Sequence, residues 1–192
     1  MTLKFPMLAA ALALTLSGSA FAAETSGEDN AAPGEPIHDS VRTGWTAQVA
    51  AGMGDLHTFP QHQSEILNSG NGIAFDVGRS LSQNFLLLAS MEMVNAGHTT
   101  DAVYGLSGQY FFTQRVWGKL GVGGANFSQN ATNTNRWSGG ILGGLGIEFL
   151  EMKPLALDGQ LAWMAADYPH PGQTGIEALN VSLMIGVRWY GL

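Results

Sequence analysis

Between Leu179 and Trp189 every second residue is apolar: Leu179, Val181, Leu183, Ile185, Val187 and Trp189 alternate with Asn180, Ser182, Met184, Gly186 and Arg188. A period of two predicts one long strand with an apolar face and a face of small and polar residues. The pattern recurs upstream. Ile73, Phe75 and Val77 alternate with Ala74, Asp76 and Gly78, and Leu155, Leu157, Leu161 and Trp163 with Ala156, Asp158, Gln160 and Ala162. Trp137, Ile141, Leu145, Ile147 and Phe149 alternate in the same way with Ser138, Gly140, Gly144, Gly146 and Glu148. Eight strands are predicted, over residues 44–54, 72–79, 84–95, 102–112, 116–127, 137–149, 155–166 and 177–190. The third is less regular, because Leu86 and Leu88 share a face with Ser90 and Glu92, and the glycine-rich fifth leaves its faces ambiguous.

The connections alternate in length, with long ones at 55–71, 96–101, 128–136 and 167–176 and short ones around Ser80–Gln83, Thr113–Arg115 and Leu150–Pro154. Composition then decides which face meets what. Charged residues make up 12% of the chain, against roughly 25% in an average soluble domain. No apolar run after residue 22 is long enough to cross a bilayer as a helix. The apolar surface is instead dispersed in alternation, which predicts an all-β fold, an eight-stranded antiparallel up-and-down transmembrane β-barrel. A soluble lipocalin-like barrel would turn its apolar face inward and coat itself with charge that this chain lacks.

The five tryptophans, Trp45, Trp117, Trp137, Trp163 and Trp189, fall near predicted strand ends, joined there by Phe85, Phe112, Phe127, Phe149 and Tyr190. Such rings favour the headgroup level, so two aromatic girdles are expected. Packing of the same rings in a β-sandwich core is the alternative, and it too would need a charged outer surface.

Lys4, the apolar stretch Leu8 to Leu16 and the small-residue site Ala20-Phe21-Ala22 read as a signal peptide over residues 1–22, which implies export by the general secretory pathway. Residues 23–43 carry five acids, Pro33 and Pro36 and read as a flexible periplasmic lead segment. The barrel is assigned to residues 44–192. Without cysteine there is neither a disulfide framework nor a lipid-anchoring thiol. A net charge of −7 counts against nucleic acid as a partner.

The last strand runs up to Trp189 and Tyr190 beside the end of the sequence, a placement that resembles the closing strand read by the barrel-assembly machinery of bacterial outer-membrane proteins. Residues 44–192 as a whole resemble the small eight-stranded barrels of the OmpA, OmpX and opacity-protein kind. The resemblance implies a bacterial outer membrane, with its lipids and lipopolysaccharide as neighbours. It also implies periplasmic short turns and four extracellular loops, 55–71, 96–101, 128–136 and 167–176, open to a host or envelope partner. No cofactor is expected. Barrels of this kind serve as adhesins, complement-resistance factors, envelope anchors and lipid A enzymes, so the architecture alone leaves the role open.

Three chemistries follow from the placement of residues. By alternation Asp76, Glu92, Gln109, Lys119, Glu148, Asp158, Gln160 and Arg188 face the lumen, where charges must pair or meet water. A static network is expected; the alternative is a narrow gated ion pore in which Lys119 and Arg188 exchange partners among Glu92, Glu148 and Asp158. His57, His62, His98 and His170 fall in the long connections near Asp55, Asp101 and Asp167, but no spacing matches a zinc motif, and ordinary loop residues are expected. A lipid A deacylase or acyltransferase would need a Ser beside a His, for which His62, Ser64 and His170 are the residues to test. His38 lies in the lead segment, and no catalytic residue is assigned.

Overall fold

The two ends of the strand sequence meet. Thr46 lies opposite Tyr190 and Gln48 opposite Arg188, so the last strand pairs antiparallel with the first and closes a sheet in which every other strand pairs with its neighbours in sequence. The computed structural model describes residues 42, 44–60, 66–152, 154–168 and 176–191. Its strands are β1 (Trp45–Pro60), β2 (Ile66–Ser82), β3 (Phe85–Ala96), β4 (Thr99–Phe111), β5 (Val116–Gln129), β6 (Thr134–Met152), β7 (Leu155–Tyr168) and β8 (Ile176–Tyr190). The eight-stranded antiparallel barrel read from alternation is the observed architecture.

Alternation sets which side chains meet the surroundings. Val49, Phe75, Val77, Leu106, Val122, Leu145, Leu161, Leu183 and Ile185 lie exposed on the outer wall, while the intervening positions turn into a filled lumen. β3, irregular in sequence, follows the same rule. Leu86 and Leu88 point inward and pack with Phe111 and Trp117 at the near end, where β1 begins and β8 stops. β5 resolves as well, with Val116, Leu120 and Val122 outside and Trp117, Lys119, Ala125 and Phe127 inside.

The strands run past the apolar alternation. The connection expected over 55–71 is mostly ladder, with Asp55 opposite Ser69, His57 opposite Leu67 and Thr58 opposite Ile66. The reason is physical: Asp55, His57, Ser69 and Asn71 interrupt the outer apolar face, so the hydrophobic alternation breaks while the backbone hydrogen bonds continue. The connection expected over 96–101 shrinks to Gly97 and His98, because Ala96 already pairs with Thr99. Gly97 has φ of 61°, a left-handed conformation that a tight hairpin asks of glycine. Between β5 and β6 the expected 128–136 reduces to a 3-10 turn at Asn130–Thr132 followed by Asn133. Strand β7 likewise extends to Tyr168 and β8 begins at Ile176, inside the expected 167–176 connection.

The far rim is uneven as a result. β1 and β2 reach Pro60 and Ile66, but the ladder between β2 and β3 starts only at Asn71 opposite Asn95. Register shifts between Ser80 and Ser82 and between Glu148 and Leu150 break the pairing near the other end. The second is a bulge of the kind that lets a strand carry one extra residue, and it leaves both Phe149 and Leu150 on the outer wall.

Candidate functional site

All eight residues assigned to the lumen by alternation point into it and are buried: Asp76, Glu92, Gln109, Lys119, Glu148, Asp158, Gln160 and Arg188. They fall into two groups. In the first, the ammonium of Lys119 on β5 lies 3.0 Å from Asp76 on β2 and 2.9 Å from Glu92 on β3. In the second, Arg188 on β8 donates to the side-chain oxygens of Gln48 on β1 and, at 2.9 Å, Gln109 on β4, with Asp158 at 3.8 Å and Glu148 at 3.9 Å. Gln48 in turn donates to Asp158 at 2.6 Å. Among the described residues Lys119 and Arg188 contact different carboxylates, Asp76 and Glu92 for the first, Asp158 and Glu148 for the second. Both amide atoms of Gln160 are buried without a hydrogen-bond partner.

Arg42, from the segment before β1, completes the near end. Its guanidinium pairs with Glu148 at 2.9 Å, donates to the backbone carbonyl of Gln114 in the β4–β5 turn, and lies 3.7 Å from the centre of the Phe111 ring. Glu148 also accepts from the hydroxyl of Tyr190. Below this arginine the indole of Trp117 lies 5.1 Å from the guanidinium of Arg188, a cation–π arrangement in a fully buried place. Trp117 was expected in a girdle and is instead a lumen residue, 0% exposed. It lies two positions from Lys119 and so must share its face. Phe127 and Tyr190 are likewise drawn inside, the first against Tyr168.

Toward the far end the lumen turns apolar, packed by Leu56, Val94, Val103, Ala125, Phe127, Leu142, Met164 and Ala178. One carboxylate sits within this packing. Asp101, grouped by sequence with the loop histidines, is buried and accepts from the hydroxyl of Tyr168 and, at 2.5 Å, from Asn180 Nδ2. Strand β4 is thereby tied across the lumen to β7 and β8. Among the described residues no group of three or more metal-ligating side chains comes together. His57 stacks on Phe59 at 6.5 Å, and the His98 carbonyl accepts from the backbone of Asn130. His38, His62, Ser64, His170, the signal segment and all of the lead segment except Arg42 lie outside the described residues.

On the outer wall Trp45, Trp137 and Trp189 are 53%, 64% and 44% exposed, which sets them apart from Trp117. Trp163 is half-buried, its ring over Gly143 on the neighbouring strand. Tyr104 meets Trp137 edge to face at 5.9 Å.

Among solved structures the chain is similar to the crystal structure of Neisserial surface protein A, with a TM-score of 0.56 and 15% identity over 77% of this chain and 97% of that one. The fold is that of the small eight-stranded outer-membrane β-barrels. Such a barrel turns apolar residues outward and encloses its charges, as this one does. The chain also aligns with Ail, the attachment invasion locus protein of Yersinia pestis, at a TM-score of 0.49 and 13% identity, covering 75% of this chain and 98% of that one. No protein-family model and no curated protein matches the sequence.

Proposed function

We propose that this chain is an exported bacterial outer-membrane β-barrel that works through its far, extracellular rim as a structural or interaction protein, with a lumen closed to general solute flow. The inverted polarity of the wall carries the reading: Leu183 and Ile185 lie exposed outside while Arg188, Asp158 and Lys119 are buried inside. Large exposed aliphatic side chains over a closed sheet suit hydrocarbon, and buried charges suit a packed interior. The rim supports an interaction role. The β1–β2 hairpin outreaches β3 and β4 and exposes Phe59, Ile66 and Leu67, the kind of apolar surface that marks a contact site with lipopolysaccharide or an envelope or host partner.

The test is expression of the full chain in a Gram-negative host lacking lipid A-modifying enzymes. Recovery in the outer-membrane fraction as a band that migrates faster unboiled than boiled is the expected result, with unchanged lipid A by mass spectrometry. A soluble or inner-membrane protein would overturn the localisation. A lost or gained acyl chain would replace the interaction role by lipid A chemistry and direct attention to His62, Ser64 and His170.

A further inference from the structure

On the barrel wall a hollow of ≈ 520 Å³ spans β1 to β4. No residue from across the lumen lines it, and Ala89 on its floor is exposed, so it opens outward. The ladders explain its shape. Ala47, Val77 and Ala89 lie in one row across β1, β2 and β3, and the two alanines keep that row low. The next row toward the far end, Phe75, Met91 and Tyr104, closes the hollow with larger side chains. The Tyr104 ring leans away from β3, over Gly124 on β5 and edge to face with Trp137, which leaves the floor between β3 and β4 open.

The row toward the near end is Trp45, Arg79 and Leu87. Arg79 is two positions from Val77, so its backbone stands about 7 Å from the floor on the same face. It is exposed, and among the described residues no carboxylate pairs with it. It is also the one cation that a described strand turns outward: Lys119 and Arg188 are buried in the lumen, and Arg136 lies opposite the inward Phe127. The exposed Trp45 beside it marks the headgroup level, where a guanidinium reaches polar groups while its stem lies along apolar wall. An apolar hollow in such a wall gains contacts only when hydrocarbon fills it, and a guanidinium at its mouth selects phosphate, to which it gives two parallel N–H donors. We propose that the hollow and Arg79 together hold one anionic glycerophospholipid of the near leaflet, its phosphate on Arg79 beside Trp45 and one acyl chain over Ala47 and Ala89. The proposal rests on the reading that the outer wall meets hydrocarbon, and adds to the rim-borne role a specific lipid site on the wall.

The test places the full chain in nanodiscs of phosphatidylcholine with a minor share of phosphatidylglycerol and reads, by native mass spectrometry, which lipid stays bound on release from the disc. The unsubstituted barrel is expected to retain phosphatidylglycerol above its share in the disc. Arg79→Gln should lower that enrichment about fivefold, the factor that one basic side chain near an anionic lipid surface contributes. Ala89→Leu fills the floor and should abolish retention with Arg79 still in place. Both substitutions lie on the exposed wall, and heat-modifiable migration shows that each variant has folded. Enrichment that survives Ala89→Leu would reduce the effect to surface charge and overturn the site; enrichment that survives Arg79→Gln would place the lipid elsewhere and overturn it too. A barrel that inserts and is heat-modifiable but retains no phosphatidylglycerol overturns the site alone, whereas a chain that does not enter the discs overturns the hydrocarbon-facing wall and the site with it. A mass of two barrels that Ala89→Leu splits would give the hollow to a second copy and overturn the proposal as well.

Discussion

The six-membered ring of Trp117 occupies the space that a side chain at Gly146 would need: a Cβ at residue 146 would fall 2.2 Å from the indole. The two residues face each other across β5 and β6, where Trp117 lies opposite Gly146 in the ladder. Gly146→Ala therefore forces the indole or the strand to move, and is expected to cost about 1–3 kcal/mol. Urea unfolding in micelles measures it. Trp117→Leu should recover most of the loss in a double-mutant cycle, and an unchanged Gly146→Ala midpoint would put the indole somewhere other than the lumen.

Arg188 touches more of the lumen than any other side chain on β8, with Gln48, Gln109, Glu148, Asp158 and the Tyr190 hydroxyl all in reach. Removing one partner of a buried pair leaves the other uncompensated, so Arg188→Ala is expected to lower stability by about 3–5 kcal/mol. Thermal unfolding that matches the unsubstituted protein would remove Arg188 from the network.

Arg42 shares Glu148 with Arg188, but Glu148 keeps Arg188 and Tyr190 when Arg42 is lost. Arg42→Ala should consequently cost less, about 1–2 kcal/mol for one charged hydrogen bond and the contact with Phe111. The order of the two arginine variants is the informative quantity. If Arg42→Ala proved the more damaging, Glu148 would depend on the segment before β1 rather than on β8.

Leu183 and Ser182 are chain neighbours on opposite faces of β8, the first 69% exposed and the second buried. If the outer wall meets hydrocarbon, Leu183→Arg costs about 2–4 kcal/mol in lipid bilayers. On a wall facing water the same exposed substitution would be within about 0.5 kcal/mol of neutral. Unfolding from liposomes distinguishes the two.

Planar-bilayer recordings should show no steady conductance, since Leu86, Leu88, Phe111 and Trp117 fill the near end and Leu56, Val103, Phe127 and Leu142 the far end. Reproducible single-channel steps from the purified barrel would contradict this packing and revive the narrow pore.

Much of the barrel is legible because a period of two assigns faces without reference to neighbours. Leu183 outside and Arg188 inside follow from counting alone. The same count could have placed Trp117, which shares parity with the inward Lys119; its aromatic ring suggested a girdle and outweighed its position. The far parts of β1 and β2 were missed because strand pairing continues above the apolar band with no hydrophobic period to mark it, as at Asp55 and Ser69. Asp101, Tyr168 and Asn180 meet across the lumen from three strands. No spacing in one sequence encodes such a contact, which depends on barrel closure and strand stagger. Arg42 carried no signal either, since it precedes the first strand and finds its partners in β4, β6 and the β4–β5 turn.

Closure between β1 and β8 carries an entropic cost of its own. Gln48 and Arg188 meet across that seam, and through Gln48 the seam reaches Asp158 on β7. Gln48 and Arg188 are 140 apart in sequence, so joining them closes a far longer loop than any hairpin between neighbouring strands and carries a larger entropy cost. Without that closure Arg188 and Asp158 lack the Gln48 amide that both of them bond. The seam therefore favours one register: a sheet closed one residue out of step would part Gln48 from both Arg188 and Asp158.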